Sequence, residues 1–443
     1  MGAVRNVSGE HLIENQLSFS SDCLTINGTN RSLDFDIPGS GRLLVIGVGK
    51  AAASLASGLE RLLGERIDDG IVIVKYDHTL PLTRIRQIEA GHPAPDENGV
   101  SATREMRALL SGLTANDRVI VLLTGGASSL LVSPAAGVHL SDKIGLTNRL
   151  LQSGASISDI NTVRKALSDV KGGGLLKDIS PASSLTLLIS DVPGDDIRTI
   201  GSAPTVPDDR DDRDPKAILK RFGLWQGLPS PLASAIETYR PGKTCLPDVQ
   251  GRHDSVVLAR SCDLVAAASQ IAQDYGLSVR IQNACMTGHT HREAEAMAQA
   301  VRKAVNSGEQ NLLLIAAGET TLEVKGKGTG GRNQEYALCA ARLLSGVDGV
   351  TMLCAGTDGT DGPTSAAGAI VDGASWSRAE CMGLAPAAAL ADNDSHPLLA
   401  RIGALLVTGP TGTNVMDLVL VLVRPTCLER TDLPAKTIER GAA

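Results

Sequence analysis

Short runs of Val, Ile and Leu alternate along the chain with longer stretches in which apolar residues recur every three or four positions. The runs RLLVIGV (42–48), GIVIVKY (70–76), RVIVLLT (118–124), SLTLLIS (184–190), NLLLIAAG (311–318), VTMLCAG (350–356) and DLVLVLV (417–423) have the length and composition of strands. Most are apolar on both faces, which predicts parallel strands covered by helices. Alternation of strand and helix predicts an α/β architecture with right-handed crossovers. Ligands of such sheets sit beyond the carboxyl ends of the strands, so the residues after each run are the ones to inspect.

The pattern lapses between about 207 and 255, where PDDRDDRDP (207–215) and several further prolines predict a surface excursion and linker. The chain then divides into a first domain, 1–245, and a second, 246–443, which opens on the helical stretch SCDLVAAASQIAQDYG (261–276).

Composition narrows the partners. With 443 residues, 42% apolar and 21% charged, the chain is long enough for two or three cores. A net charge of −7 without a long basic run excludes nucleic acid as the main partner, and 2% aromatic content excludes base-stacking platforms. The eight cysteines form no CxxC pair, which reads as reduced thiols. No stretch has the apolar length of a signal core or a bilayer span, so a cytoplasmic protein without a membrane partner is expected.

The strand ends carry the chemistry. GVGKAA (47–52), TGGASS (124–129), SDVPGDD (190–196), GET (318–320) and GTDGTDGP (356–363) crowd Gly, Asp, Lys and hydroxyl residues onto one edge, as a phosphate-handling site would. GKGTGGRNQE (326–335) adds a glycine run that ends in an arginine at the mouth of a helical stretch. GVGKAA also fits the dinucleotide fingerprint, with Asp77 as a rather distant acid, which would make a nicotinamide-dependent oxidoreductase. A Walker A loop is absent, because Leu44 and Ala51 occupy its first Gly and its Ser/Thr positions. Lys50 opposes the dipole of the helix it opens unless an anion lies between them. In NTVRKALSDVKGGG (161–174) helical spacing would put Arg164, Ser168 and Lys171 on one face, suited to a carboxylate or a nucleotide phosphate.

These motifs, together with AGHPAPDENG (90–99), LLISDVPGDDIRTIGSAPTVPD (187–208), AGTDGTDGPTSAAGAIVD (355–372) and VTGPTGTNVMDLVLVLV (407–423), resemble in content and order those of the class II glycerate kinases, the glycerate 2-kinases of the MOFRL family. The resemblance spans most of the chain. It implies a Rossmann-like N-terminal domain and a smaller α/β C-terminal domain with the active site in the cleft between them. It further implies transfer of the ATP γ-phosphoryl group to the 2-hydroxyl of D-glycerate, with Mg²⁺. Departures fall at Ala127, Ala166, Ala317, the GSAPT at 201–205 and the GHTHREAE at 288–295. Several lie on the acceptor side, so the acceptor is D-glycerate or a related hydroxy acid. NAD(P)-dependent hydroxypyruvate reduction is the rival reading.

Within that frame Lys50 and Arg332 are the catalytic cations, both expected outside the core. Asp191 is a metal ligand or the proton acceptor, and Asp195 and Asp358 are further metal candidates. Gly125, Gly126, Ser128, Ser129, Arg164, Ser168, Lys171, Glu319, Asn333 and Glu335 are assigned to substrate. Gly47, Gly49, Gly328, Gly330 and Gly331 are assigned to the nucleotide. His92 is read as a turn residue. A monomer or homodimer is expected.

Overall fold

The computed structural model describes residues 1–207, 213–240 and 249–424. Its strands are β1 (Leu17–Ser20), β2 (Cys23–Asn27), β3 (Ser32–Asp36), β4 (Leu43–Val48), β5 (Asp69–Lys75), β6 (Ile85–Ala90), β7 (Arg118–Leu123), β8 (Ser183–Ile189), β9 (His253–Ala259), β10 (Ser278–Met286), β11 (Leu312–Gly318), β12 (Val350–Gly356), β13 (Gly368–Asp372), β14 (Leu405–Leu406) and β15 (Asp417–Val423). All seven runs singled out from the sequence are among them. They form a small antiparallel sheet, β1-β2-β3, and two six-stranded sheets, β6-β5-β4-β7-β8-β9 and β10-β11-β15-β12-β13-β14.

The first large sheet is parallel throughout. Its order reverses between β4 and β7, the switch point at which doubly wound sheets bind ligands. The second sheet corrects the expectation of parallel strands. There β15 runs antiparallel to both β11 and β12, and its first residue, Asp417, lies level with the last residues of those strands, Gly318 and Gly356. An interior strand is apolar on both faces whichever way it runs, so DLVLVLV carries no sign of its direction.

The expected division at 245/246 is a compositional one. In the structure β9 pairs with β8, so the first sheet takes a strand from beyond that point. The linker reading is corrected in part. Residues 208–212 and 241–248 lie outside the described residues, but Pro215–Arg221 and Ser230–Thr238 are helices. They bury Leu219, Leu232 and Ile236 against Leu150, Ile160 and Val163 of the helices Leu140–Gln152 and Ile157–Ala166. Charged, proline-containing sequence masks their apolar face. Asp214 accepts from the Lys216 N–H and Pro215 takes the first turn, an N-terminal pattern that could have been read.

One apolar cluster joins the two large sheets. It runs from Leu55 and Leu59 of the helix Ala52–Leu63, through Leu258 and Leu264, to Ile315 and Leu418 of the second sheet. Each such side chain contributes about 1.5–3 kcal/mol on burial. Packing therefore sets how the two sheet edges face each other. Among the described residues no helix is long and apolar enough to cross a membrane.

Candidate active site

The site begins at the switch point. Gly49 has φ +128°, and a Cβ there would lie 2.1 Å from the Thr124 Oγ1, so only glycine allows the β4 and β7 loops to meet. Thr124 Oγ1 accepts from the Ala51 N–H, and the Lys50 N–H donates to the Gly125 carbonyl at 2.9 Å. Lys50 is thus held at the mouth of the sheet. Gly47, expected to face a nucleotide, lies inside β4. A Cβ on it would meet Val72 and Leu122, so its smallness serves the sheet.

From the opposite edge the loop after β12 reaches across. Lys50 Nζ donates to Asp358 Oδ2 at 2.6 Å, and Lys75 Nζ donates to Thr360 Oγ1 at 3.2 Å. Burial would raise the Asp358 carboxyl, but the Lys50 ammonium outweighs it and holds it below the ordinary range. Burial and the Lys50 charge lower Lys75. Desolvation, with the charges of Lys50 and Lys75 adding to it, lowers the half-buried His92 to about 3, so it is neutral. Asp191, two residues past β8, accepts from Asn414 Nδ2 at 3.0 Å, a further bond between the halves. Burial pushes its carboxyl up against the pull of Lys50.

Arg332 opens the helix Arg332–Leu343. Its guanidinium grips Asp417 through two bonds of 2.6 and 2.9 Å and meets Glu319 Oε1 at 2.6 Å. Burial opposes the guanidinium charge, and Asp417 outweighs it and keeps Arg332 protonated. Glu319 is raised by burial, with Arg332 opposing and Asp417 and Asp191 adding to the rise. The structure therefore brings Lys50, Asp191, Gly125, Glu319, Arg332 and Asp358 to one cleft.

Several expected site residues do other work. Asp361 occupies the mouth of the Arg332 helix, accepting from the N–H groups of Asn333 and Gln334 at 3.1 and 2.9 Å. That helix end is closed to a ligand. The glycine loop before it is also engaged. N–H groups from Lys325 to Thr329 bond to Asp392, Asn393 and Asp394. A Cβ on Gly328, Gly330 or Gly331 would strike Asp394, Ser395 or Asp361 at 2.3–2.4 Å, so these glycines permit close backbone packing. Asn333 is buried and donates to Asp417 and Asp361. Glu335 is buried with His291 and Asn393, and burial raises its carboxyl.

The helix expected to carry Arg164, Ser168 and Lys171 ends at Ala166. The Ser168 Oγ is enclosed without a hydrogen-bond partner among the described residues. Arg164 and Lys171 do converge, on a cavity of about 310 Å³ that Ser128, Ser129 and Lys143 also line. Among the described residues no three His, Cys, Asp or Glu form a group able to hold a metal. Asp191, Asp195 and Asp358 are therefore not an assembled metal set. Asp195 sits in a turn at φ +54°, 3.9 Å from Arg260, and Asp358 is taken by Lys50.

Sequence reasoning missed Lys75, Asn414, Asp417 and Lys143. Lys75 closes the strand run GIVIVKY, and Asn414 lies in the motif VTGPTGTNVM, so both had a signal. Lys143 had none, since KIGLTNRLL reads as an ordinary surface helix.

Two consequences can be measured. A Cβ on Gly125 would come within 1.8 Å of Asn414 Nδ2 and 2.1 Å of Asp191 Oδ2. Gly125→Ala should therefore wedge the halves apart, costing about 1–3 kcal/mol of stability. It should also lower turnover by roughly 10²-fold through misplacement of Asp191. Denaturant melts and steady-state kinetics check both, and wild-type turnover would show that the two groups do not need this closeness.

Burial and the Arg164 charge lower Lys143 from 10.5 to about 8. Between those values the unfolded chain holds a proton that the native chain lacks. Stability should thus rise with pH there, by at most about 1.4 kcal/mol per unit. Denaturation at several pH values should show this rise flattened in Lys143→Met. A wild-type slope in the variant would mean that Lys143 does not lose its proton in the folded state.

A doubly wound sheet whose switch-point lysine pairs with an acidic loop, beside a clamped arginine from a second α/β sheet, has the charge placement of a phosphotransferase. A family model described as a domain of unknown function (DUF4147) matches residues 1–237, and the MOFRL family model matches residues 312–417. The D-glycerate 2-kinase of Thermotoga maritima is 41% identical, over 86% of this chain and 91% of its own. A protein of Agrobacterium vitis that carries a hydroxypyruvate reductase name is 39% identical, over 86% of this chain and 87% of its own. The crystal structure of glycerate kinase from Thermotoga maritima superposes with a TM-score of 0.78 at 35% identity, covering 95% of this chain and 96% of that one. The chain belongs to the MOFRL glycerate kinase family.

Proposed function

We propose that this chain transfers the γ-phosphoryl group of ATP to the 2-hydroxyl of D-glycerate, with Mg²⁺. The observation that carries the reading is the convergence of Lys50 and Arg332, from opposite sheet edges, on a cleft that also holds Asp191 and Glu319. Phosphoryl transfer asks chiefly for positioning and for positive charge around the moving group. Lys50 has three N–H donors and gives one to Asp358, so others are free for phosphoryl oxygens. Arg332 is fixed in orientation by Asp417 and keeps its charge throughout. Asp191, its carboxyl raised by burial, suits acceptance of the hydroxyl proton.

Mg²⁺ binds through few carboxylates together with substrate phosphates. Glu319 would hold it in exchange for part of its Arg332 contact, because its side chain is 40% exposed, whereas Asp358 is buried against Lys50. The ion would offset the charge gathering on the phosphates.

The dinucleotide reading fares worse on position. Asp77, its required acid, is exposed and engaged through its backbone with Glu89, and Lys75 stands at the end of β5 instead. The test is to give the purified protein MgATP with D-glycerate and, separately, NADH with hydroxypyruvate. ADP release that depends on glycerate is expected. NADH oxidation without ADP release would overturn the proposal.

A further inference from the structure

Three basic side chains surround one cavity of the first domain, and no carboxylate bonds to any of them among the described residues. Lys143, Arg164 and Lys171 line it together with Ser128 and Ser129. Lys171 is 3% exposed, and its Nζ is enclosed without a hydrogen-bond partner. Lys143 is 7% exposed. The acid that acts on Lys143, Asp169, is 44% exposed and lies 3.9 Å from Arg107. Burying unpaired ammonium groups is costly, and such groups mark places where a ligand brings the counter-charge.

We infer that this cavity takes the nucleoside triphosphate, with the phosphate chain on Lys143, Arg164 and Lys171 and the base against Ile144 and Leu151. The inference rests on the phosphotransferase reading above and assigns the donor's place within it. Charge favours the donor, since a polyphosphate matches three cations and a hydroxy acid brings a single carboxylate. Size favours it too. A cavity of about 310 Å³ is several times what a three-carbon acid fills, and sites for drug-sized ligands begin near about 300 Å³. The lining adds a third argument, because Leu151 is 54% exposed on the helix that carries Lys143 and Ile144, an apolar surface with no use for glycerate.

The cavity lies beside the loop that packs on Lys50. Ser128 lies two residues beyond Gly126, and a Cβ on Gly126 would sit 3.3 Å from His92 Nε2 and 3.4 Å from Lys50 Cγ. One loop therefore separates the phosphate site from Lys50, so the terminal phosphoryl group can reach Lys50 while the acceptor stays on the Arg332 side.

The experiment measures ATP affinity by calorimetry without acceptor, and both Michaelis constants, for wild type, Lys171→Met and Arg164→Met. Loss of one charge-assisted contact should weaken ATP binding about 10–100-fold. The ATP KM should rise in step, with the glycerate KM within about twofold of wild type. Inorganic tripolyphosphate should compete with ATP for the wild type and lose affinity in the variants. Lys171→Met should melt at or above the wild-type temperature, since it removes a buried amine that no partner satisfies. Arg164→Met, on a less enclosed residue, decides the matter should Lys171→Met fail to fold. A raised glycerate KM with unchanged ATP affinity would hand the cavity to the acceptor and overturn the inference. Unchanged values for both substrates would overturn it as well. ATP binding that is lost in the variants, in a protein that does not phosphorylate glycerate, would keep the inference and remove the glycerate reading.

Discussion

Lys50→Met is expected to lower kcat by about 10²–10³, the usual loss when one charge-stabilising group leaves a transition state. The glycerate KM should move much less, because the ammonium matters most when charge gathers on the transferring group. The structure adds a condition. Asp358 is 5% exposed and loses its partner in this variant, although Lys75 stays close enough to act on it. Some loss of stability should follow, and Asp358→Asn in the same chain should recover it without recovering turnover. Steady-state kinetics beside denaturant melts separate these effects. Near-normal kcat in the single variant would remove Lys50 from the chemistry.

Arg332→Ala should be the more damaging change, because it strikes the fold as well as the reaction. Asp417 is 2% exposed and takes two bonds from this guanidinium, and breaking a buried pair costs about 3–5 kcal/mol. The Arg332 side chain is 34% exposed, so water should soften the loss toward the lower figure. Turnover in the folded fraction should fall by about 10²–10³ as well. Arg332→Met combined with Asp417→Asn should regain much of the stability while remaining slow. A combined Lys50 and Arg332 variant should lose less than the product of the two single losses, since both groups serve one charge. Full activity in a folded Arg332 variant would reduce the residue to a structural clamp.

Arg332 stands outside the apolar cores, with its side chain 34% exposed, but the buried carboxylate that holds it was not read from the sequence. Its partner Asp417 is the first residue of β15, and a search of residues that follow strands passes over it. The rule holds for β4, β5, β7, β8, β11 and β12, whose ends supply Lys50, Lys75, Gly125, Asp191, Glu319 and Asp358. It fails for β15, an interior strand that runs the other way, because strand direction leaves no trace in a doubly apolar run.

The glycine loop 326–331 misled for a related reason. Close approach to a ligand and close approach to backbone both require the missing Cβ, and the residues near 392–395 and Asp361 that fill that role are distant in the chain. The strands themselves were legible because their apolar runs are long and bounded. The helices Pro215–Arg221 and Ser230–Thr238 were not, because charge and proline outweigh their short apolar faces.

The most direct test of the account is the NMR spectrum of the product formed from D-glycerate and MgATP by the wild-type protein. With Asp191 taking the proton from the 2-hydroxyl, the phosphorus signal should couple to the single proton on C2, as in 2-phosphoglycerate. Coupling to the two protons on C3 would place the phosphate on the other hydroxyl and contradict the account.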